Sequence, residues 1–159
     1  IAIMNSIQQD VQLKQFSDNL QLDITNEGLR IQIIDSDNRP MFKPNTSKLQ
    51  PYMEKIIDVI GKMVSEQPNY ISISGHTASV PAGVTNSIDF WKISSERSNE
   101  VRKYMTKRLI DKGQVVKIIG KADREPFDAK DPFSIRNIRV GITLLNNASV
   151  SVYNKSLPH

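Results

Sequence analysis

Cysteine is absent from the 159 residues. That excludes disulfide staples, thiol catalysis and cysteine-based zinc sites. Histidine is scarce: His76 and His159 are the only two imidazoles, and no metal-ligand spacing joins them. No metal and no cofactor is therefore expected. No Gly-x-Ser-x-Gly elbow accompanies His76, so a Ser-His-Asp hydrolase is not expected either, and His76 reads as a structural residue at a strand end. Aromatic residues make up only 6% of the chain. The net charge of +4 permits an anionic partner. The basic residues are scattered, however, without a run interleaved with aromatics, and nucleic acid is not an expected partner. No apolar run approaches the ~18 residues of a membrane span. Ile1-Ala2-Ile3-Met4 is too short for the h-region of a signal peptide, and the chain reads as a fragment whose upstream part was removed.

What is present suits a globular domain: 38% hydrophobic and 24% charged residues, in a length that allows one core plus an extension. Ile3, Ile7, Val11, Leu13, Phe16 and Leu20 keep roughly helical spacing. Residues 1–19 are expected to form an amphipathic linker or dimerisation helix outside the core. Leu20, Leu22 and Ile24 alternate with polar residues, and so do Leu29, Ile31 and Ile33 beyond an Asn26-Glu27-Gly28 turn. This predicts a β-hairpin. Ser47 and Gln50 have the spacing of a capping box, followed by an apolar helical stripe from Leu49 to Met63. A strand over residues 70–74 runs into the corner Gly75-His76-Thr77-Ala78. A second helix is predicted over about 94–112, with Gly113 as its C′ residue. A short strand over 115–119 and a last strand over 139–145 follow. Residues 147–159 lose periodicity and are expected to be an irregular tail.

A helix between strands usually returns the chain parallel and right-handed. Two such crossovers place both helices on one face. The predicted fold class is α/β (α+β), a two-layer sandwich of one mixed sheet and its helices.

The segments Ile73-Ser74-Gly75-His76-Thr77, Ile93-Ser94-Ser95-Glu96-Arg97 and Asn137-Ile138-Arg139-Val140 resemble the OmpA-like peptidoglycan-binding domain over about residues 20–146. That family carries Gly-His-Thr-Asp, Leu-Ser-x-x-Arg and Asn-Arg-Arg-Val/Ile. The stretch from Leu29 to Phe42, with Asn38-Arg39-Pro40-Met41-Phe42, is similar to the MotB family of flagellar stator subunits. So are Pro51-Tyr52-Met53 and Trp91.

The resemblance implies a wall anchor and not an enzyme: the periplasmic domain of an inner-membrane stator subunit from a Gram-negative bacterium. It further implies a homodimer, with a MotA-like membrane subunit reached through the upstream part. The expected ligand is meso-diaminopimelate in the peptidoglycan stem peptide, a zwitterion wanting an Arg fork for its carboxylate and an Asp for its ammonium. Arg97 matches the family's arginine. Thr77, Asn137 and Arg139 match supporting positions, and Phe42 is expected to wall the pocket. Arg139, inside a strand, reads equally as a structural ion-pair partner. Phe90 and Trp91 read as core or cap residues.

Three positions depart from the pattern. The family aspartate is Ala78, a family asparagine is Phe90, and the middle arginine is Ile138. Losing a charged hydrogen bond costs about 1.5–3 kcal/mol, or roughly 10- to 150-fold in affinity. Asp89, Glu125, Asp128 and Asp131 are the carboxylates considered as replacements. The alternative is a degenerate module that has lost diaminopimelate binding and takes a protein partner or another wall fragment.

Overall fold

The computed structural model describes residues 2–156. Its centre is a five-stranded mixed sheet in the order β1-β2-β5-β3-β4. Strands β1 (Leu20–Thr25) and β2 (Gly28–Ile34) form the predicted hairpin, with Leu20 opposite Ile33 and Thr25 opposite Gly28. β5 (Arg139–Leu145), last of the strands in sequence, lies in the middle. It runs antiparallel to both β2 and β3 (Ile71–His76), while β4 (Val115–Gly120) lies parallel to β3 at the edge.

The helices α3 (Pro51–Ser65) and α4 (Phe90–Arg108) fill the two crossovers. They touch one another, and the Tyr104 hydroxyl of α4 donates to Asp58 of α3 at 2.7 Å, so they share one face of the sheet. Met53, Ile56, Ile57 and Ile60 of α3 are fully buried with Ile31, Ile33, Ile71 and Ile73. Each such side chain contributes roughly 1.5–3 kcal/mol of transfer free energy. The opposite face of the sheet is polar. There Arg30 pairs with Asp23, and Gln32 accepts from Arg139.

The spacing of α4 from the sheet is set by small residues. A Cβ on Gly75 would overlap the Ser94 carbonyl oxygen, and one on Gly120 would overlap Ser95. Ser98 Oγ donates to the Ile119 carbonyl at 2.9 Å, and Ser94 Oγ accepts from the Ala122 amide at 3.1 Å. The glycine-serine contact lets helix and strand backbones approach without side-chain spacers.

Several expectations are corrected. Residues 2–19 are not one helix. They form α1 (Ala2–Gln9) and α2 (Val11–Lys14), broken at Asp10, whose carboxylate accepts from the Leu13 amide at 3.0 Å. Nor do they stand outside the core: Ile3, Ile7, Leu13 and Phe16 are buried in it, and both helices contact α3. The apolar stripe found a partner within its own chain. We expect Leu13→Ala to cost about 2–5 kcal/mol in urea unfolding; a cost below ~1 kcal/mol would return this segment to the role of a detachable linker.

The Ser47–Gln50 capping box does not form. Phe42 and Leu49 make a β-bridge, the Gln50 amide donates to the Met41 carbonyl at 3.0 Å, and helix α3 begins with Pro51 at its first position. Proline suits that position because no intrahelical donor is lost there. Helix α4 starts earlier than predicted, at Phe90, with Asp89 as its cap accepting from the Lys92 amide at 3.2 Å. It ends at Arg108, so Gly113 lies in a separate 3-10 turn, Lys112–Gln114. Finally, residues 147–156 are helical (α5, Asn147–Ser156), started by the Asn146 side chain accepting from the Ser149 amide at 2.9 Å. The rest of the expected irregular tail, with His159, lies outside the described residues.

Candidate functional site

In the sheet, Arg139 is the register partner of both Ile34 and His76. The residues that follow those two strands, Asp35 and Thr77, therefore leave the sheet at the same end as Ile138, which precedes β5. The Asp35 amide donates to the Ile138 carbonyl at 3.0 Å. Helix α4 crosses above and brings Arg97. Between these parts lies a cavity of about 620 Å³, walled by Asp35, Phe42, Thr77, Ala78, Phe90, Arg97 and Ile138 among others.

Arg97 is 7% exposed and held on two sides. Its Nε donates to the Thr46 carbonyl at 2.8 Å, and its guanidinium carbon sits 4.7 Å from the Phe42 ring centroid. The carbonyl is aimed by a tight loop in which Asn45 takes φ 59°, a left-handed value that asparagine tolerates better than most residues. Neither Nη of Arg97 donates to another described residue, so a pre-oriented two-nitrogen fork faces the cavity. Burial lowers the Arg97 pKa, and the charge of Asp35 opposes that shift.

The Gly-His-Thr-Ala corner is pinned on both sides of its last residue. The Thr77 amide donates to the Ala122 carbonyl at 2.8 Å, and the Ser79 amide to the Pro132 carbonyl at 2.9 Å. Thr77 Oγ1 is buried and has no hydrogen-bond partner among the described residues. Ala78, between the two anchors, presents a methyl group where the resemblance expects a carboxylate.

Asn137 and Arg139 do other work. Asn137 is fully buried: its side chain accepts from the Asp128 amide at 2.8 Å and donates to the Asp131 carbonyl at 2.9 Å. Arg139 donates to Gln32 Oε1 and to the Asn137 and Glu125 carbonyls at 2.7–3.0 Å. Both hold the 121–138 loop, and neither lines the cavity. The acids considered as replacements do not line it either. Asp89 caps α4, Glu125 pairs with Lys121, and Asp128 and Asp131 accept from amides of their own loop. Phe90 and Ile138 do line the cavity and make it more apolar, whereas Trp91 is 55% exposed beside it.

The acid that sequence reading missed is Asp35. It is 5% exposed and accepts from the Met41 amide at 2.8 Å. Burial pushes its carboxyl up to about 7, against the pull of that amide and of Arg97. The clue available in sequence was an Asp directly after the apolar run Ile33-Ile34, ahead of a Pro-Met-Phe segment that folds back over it.

His76 sits at the same sheet end, buried, with Nε2 3.3 Å from Ser74 Oγ and Nδ1 without a partner among the described residues. Burial first, then the charges of Arg139, Lys121 and Arg30, push its pKa down to about 3. It is neutral in the folded protein at pH 7. In the unfolded chain it protonates near 6.5, so its contribution to stability is present above that value and lost as pH falls toward 3. Asp35 acts in the opposite sense, losing stability as pH rises toward 7. The expected NMR result is a His76 ring that keeps its neutral-form shifts down to about pH 4; a midpoint near 6.5 would refute its confinement.

A model of the OmpA family matches residues 41–138. Motility protein B of Escherichia coli strain K12 is 36% identical over 141 residues, covering 88% of this chain. The chain spans 46% of that protein's length. Two solved structures share the fold. The cell wall anchor of the T6SS from Pseudomonas aeruginosa aligns with TM-score 0.67 and 18% identity, over 86% of this chain and 95% of that one. The periplasmic domain of Helicobacter pylori MotB aligns with TM-score 0.65 and 16% identity, over 85% and 95%.

Proposed function

The chain belongs to the OmpA family, and on that premise we propose that it is a non-enzymatic anchor binding the stem peptide of peptidoglycan through a carboxylate. One observation carries this reading: the uncommitted Arg97 fork, stacked on Phe42 in a cavity with an unpartnered Thr77 hydroxyl. A planar fork in a desolvated wall is the arrangement that recognises carboxylate. The ligand is the meso-diaminopimelate side chain. Phe42, Thr77 and Arg97 contact it, while Asn137 and Arg139 act behind them by fixing the loop against which Thr77 and Ser79 are pinned.

The name of the E. coli relative and the names of the two structures support a more particular role. In it the chain is the periplasmic part of a MotB-like stator subunit of the inner membrane in a Gram-negative bacterium. It works as a homodimer, and a MotA-like subunit is joined through the upstream part. Docking to the wall gives an ion-driven complex a fixed support.

Co-sedimentation with purified sacculi tests the proposal. Saturable pelleting that Arg97→Ala removes is the expected result. No pelleting by the folded chain would favour the second reading, for which Ala78 speaks: a cavity turned to a protein partner or another wall fragment.

A further inference from the structure

We propose that Asp35 supplies the ammonium contact that Ala78 cannot make, so that the cavity holds a zwitterion between Asp35 and Arg97. The inference rests on the reading of the cavity as a diaminopimelate site.

Three observations support it. First, Asp35 and Arg97 line the same cavity, each shifting the other's titration, yet no ion pair joins them among the described residues. Two opposite charges that share a wall without neutralising each other leave room for a ligand carrying both signs. Second, Asp35 is only half committed. Oδ1 accepts from the Met41 amide, and Oδ2 has no hydrogen-bond partner among the described residues. A buried carboxylate with a spare oxygen and no cation in contact is under-compensated, and burial already penalises its charge. An ammonium arriving from the cavity would cure that deficit. Third, the choice is narrow. Asp37 is the other carboxylate on the cavity wall, and it is exposed, where water competes for any cation. The position that carries aspartate in the resembled motif is a methyl group here, while the end of β2, which runs in the same direction as β3 on the other side of β5, offers an acid.

The shift of the acid from the end of β3 to the end of β2 changes which ligand atoms are read, though not the class of ligand. The site still selects an α-ammonium carboxylate over a plain carboxylate.

The test compares two soluble probes by calorimetry: meso-diaminopimelate, and pimelate, the same seven-carbon diacid without its ammonium groups. The wild-type chain is expected to prefer diaminopimelate by about tenfold or more. Asp35→Asn keeps the Oδ1 acceptor for Met41 and removes only the charge. It is expected to weaken diaminopimelate about tenfold, to leave pimelate unchanged or tighter, and so to erase the preference. Adding Ala78→Asp to Asp35→Asn should bring the preference back, and Asp37→Asn alone should leave it intact. Equal weakening of both probes by Asp35→Asn would mean that Asp35 only props the Met41 loop, and would overturn the inference. So would an unchanged preference, an equal effect of Asp37→Asn, or a wild-type chain indifferent to the ammonium. Sacculus pelleting that still depends on Arg97 would, in each of those cases, leave the anchor reading standing; its loss would remove both.

Discussion

Replacing Arg97 by alanine is expected to weaken sacculus binding by roughly 30- to 700-fold, the equivalent of about 2–4 kcal/mol for a bidentate charged contact in a desolvated site. The domain should remain folded. Arg97 is buried, and its charge is held there at a desolvation cost that the charge of Asp35 opposes. What is lost is one hydrogen bond to Thr46 and the contact with the Phe42 ring. Arg97→Lys should recover little, because an ammonium cannot offer two parallel donors to one carboxylate. A second readout separates this from general damage. Arg97 lowers the Asp35 pKa, so its removal should raise the carboxyl above its present value of about 7. An Arg97→Ala chain that pelleted like wild type would place the ligand elsewhere.

The second large effect belongs to Gly75. A methyl group there would overlap the carbonyl oxygen of Ser94 and crowd Ser98 Oγ. The obstacle is helix backbone, which no rotamer change can clear. We expect Gly75→Ala to cost about 3 kcal/mol or more, at the upper end of overpacking substitutions, and to lower Tm by roughly 6–12 °C. Arg97 stands less than one turn beyond Ser94, so any fraction that folds by lifting α4 should also bind sacculi poorly. An unaltered Tm with unaltered pelleting would mean that strand and helix do not meet at this point.

Much of the fold is written locally. The alternation of Leu20, Leu22 and Ile24 with that of Leu29, Ile31 and Ile33 specifies a hairpin, because a two-residue period can bury only one face. The stripe through Met53, Ile56, Ile57 and Ile60 specifies a helix with one apolar side for the same kind of reason. Arg97, Thr77 and Phe42, which line one cavity, were legible as candidate residues because the segments around them keep a recognisable pattern. Helix ends were less legible: Ser47–Gln50 has capping-box spacing, but the Phe42–Leu49 bridge holds that stretch extended, and a tertiary contact outweighs a cap worth about 1 kcal/mol.

The sequence by itself therefore determined the elements, their amphipathic faces, the two-layer class and the candidate arginine. All of these follow from periodicity and residue type within short windows. The tertiary structure alone decided which faces meet and which donors remain free. Ile7 and Leu13 look the same on isolated helices and on helices packed against α3; only the presence of that partner makes them core. Arg139 and Arg97 are both buried arginines in family motifs, yet one spends its donors on Gln32 and two carbonyls while the other keeps its fork. Asp35 and Arg97 lie far apart in the chain and share a cavity because β5, the last strand made, inserts between β2 and β3 and brings the ends of those two strands to one edge. Hydrogen-bond commitment and charge proximity are properties of the assembled sheet, and no local pattern carries them.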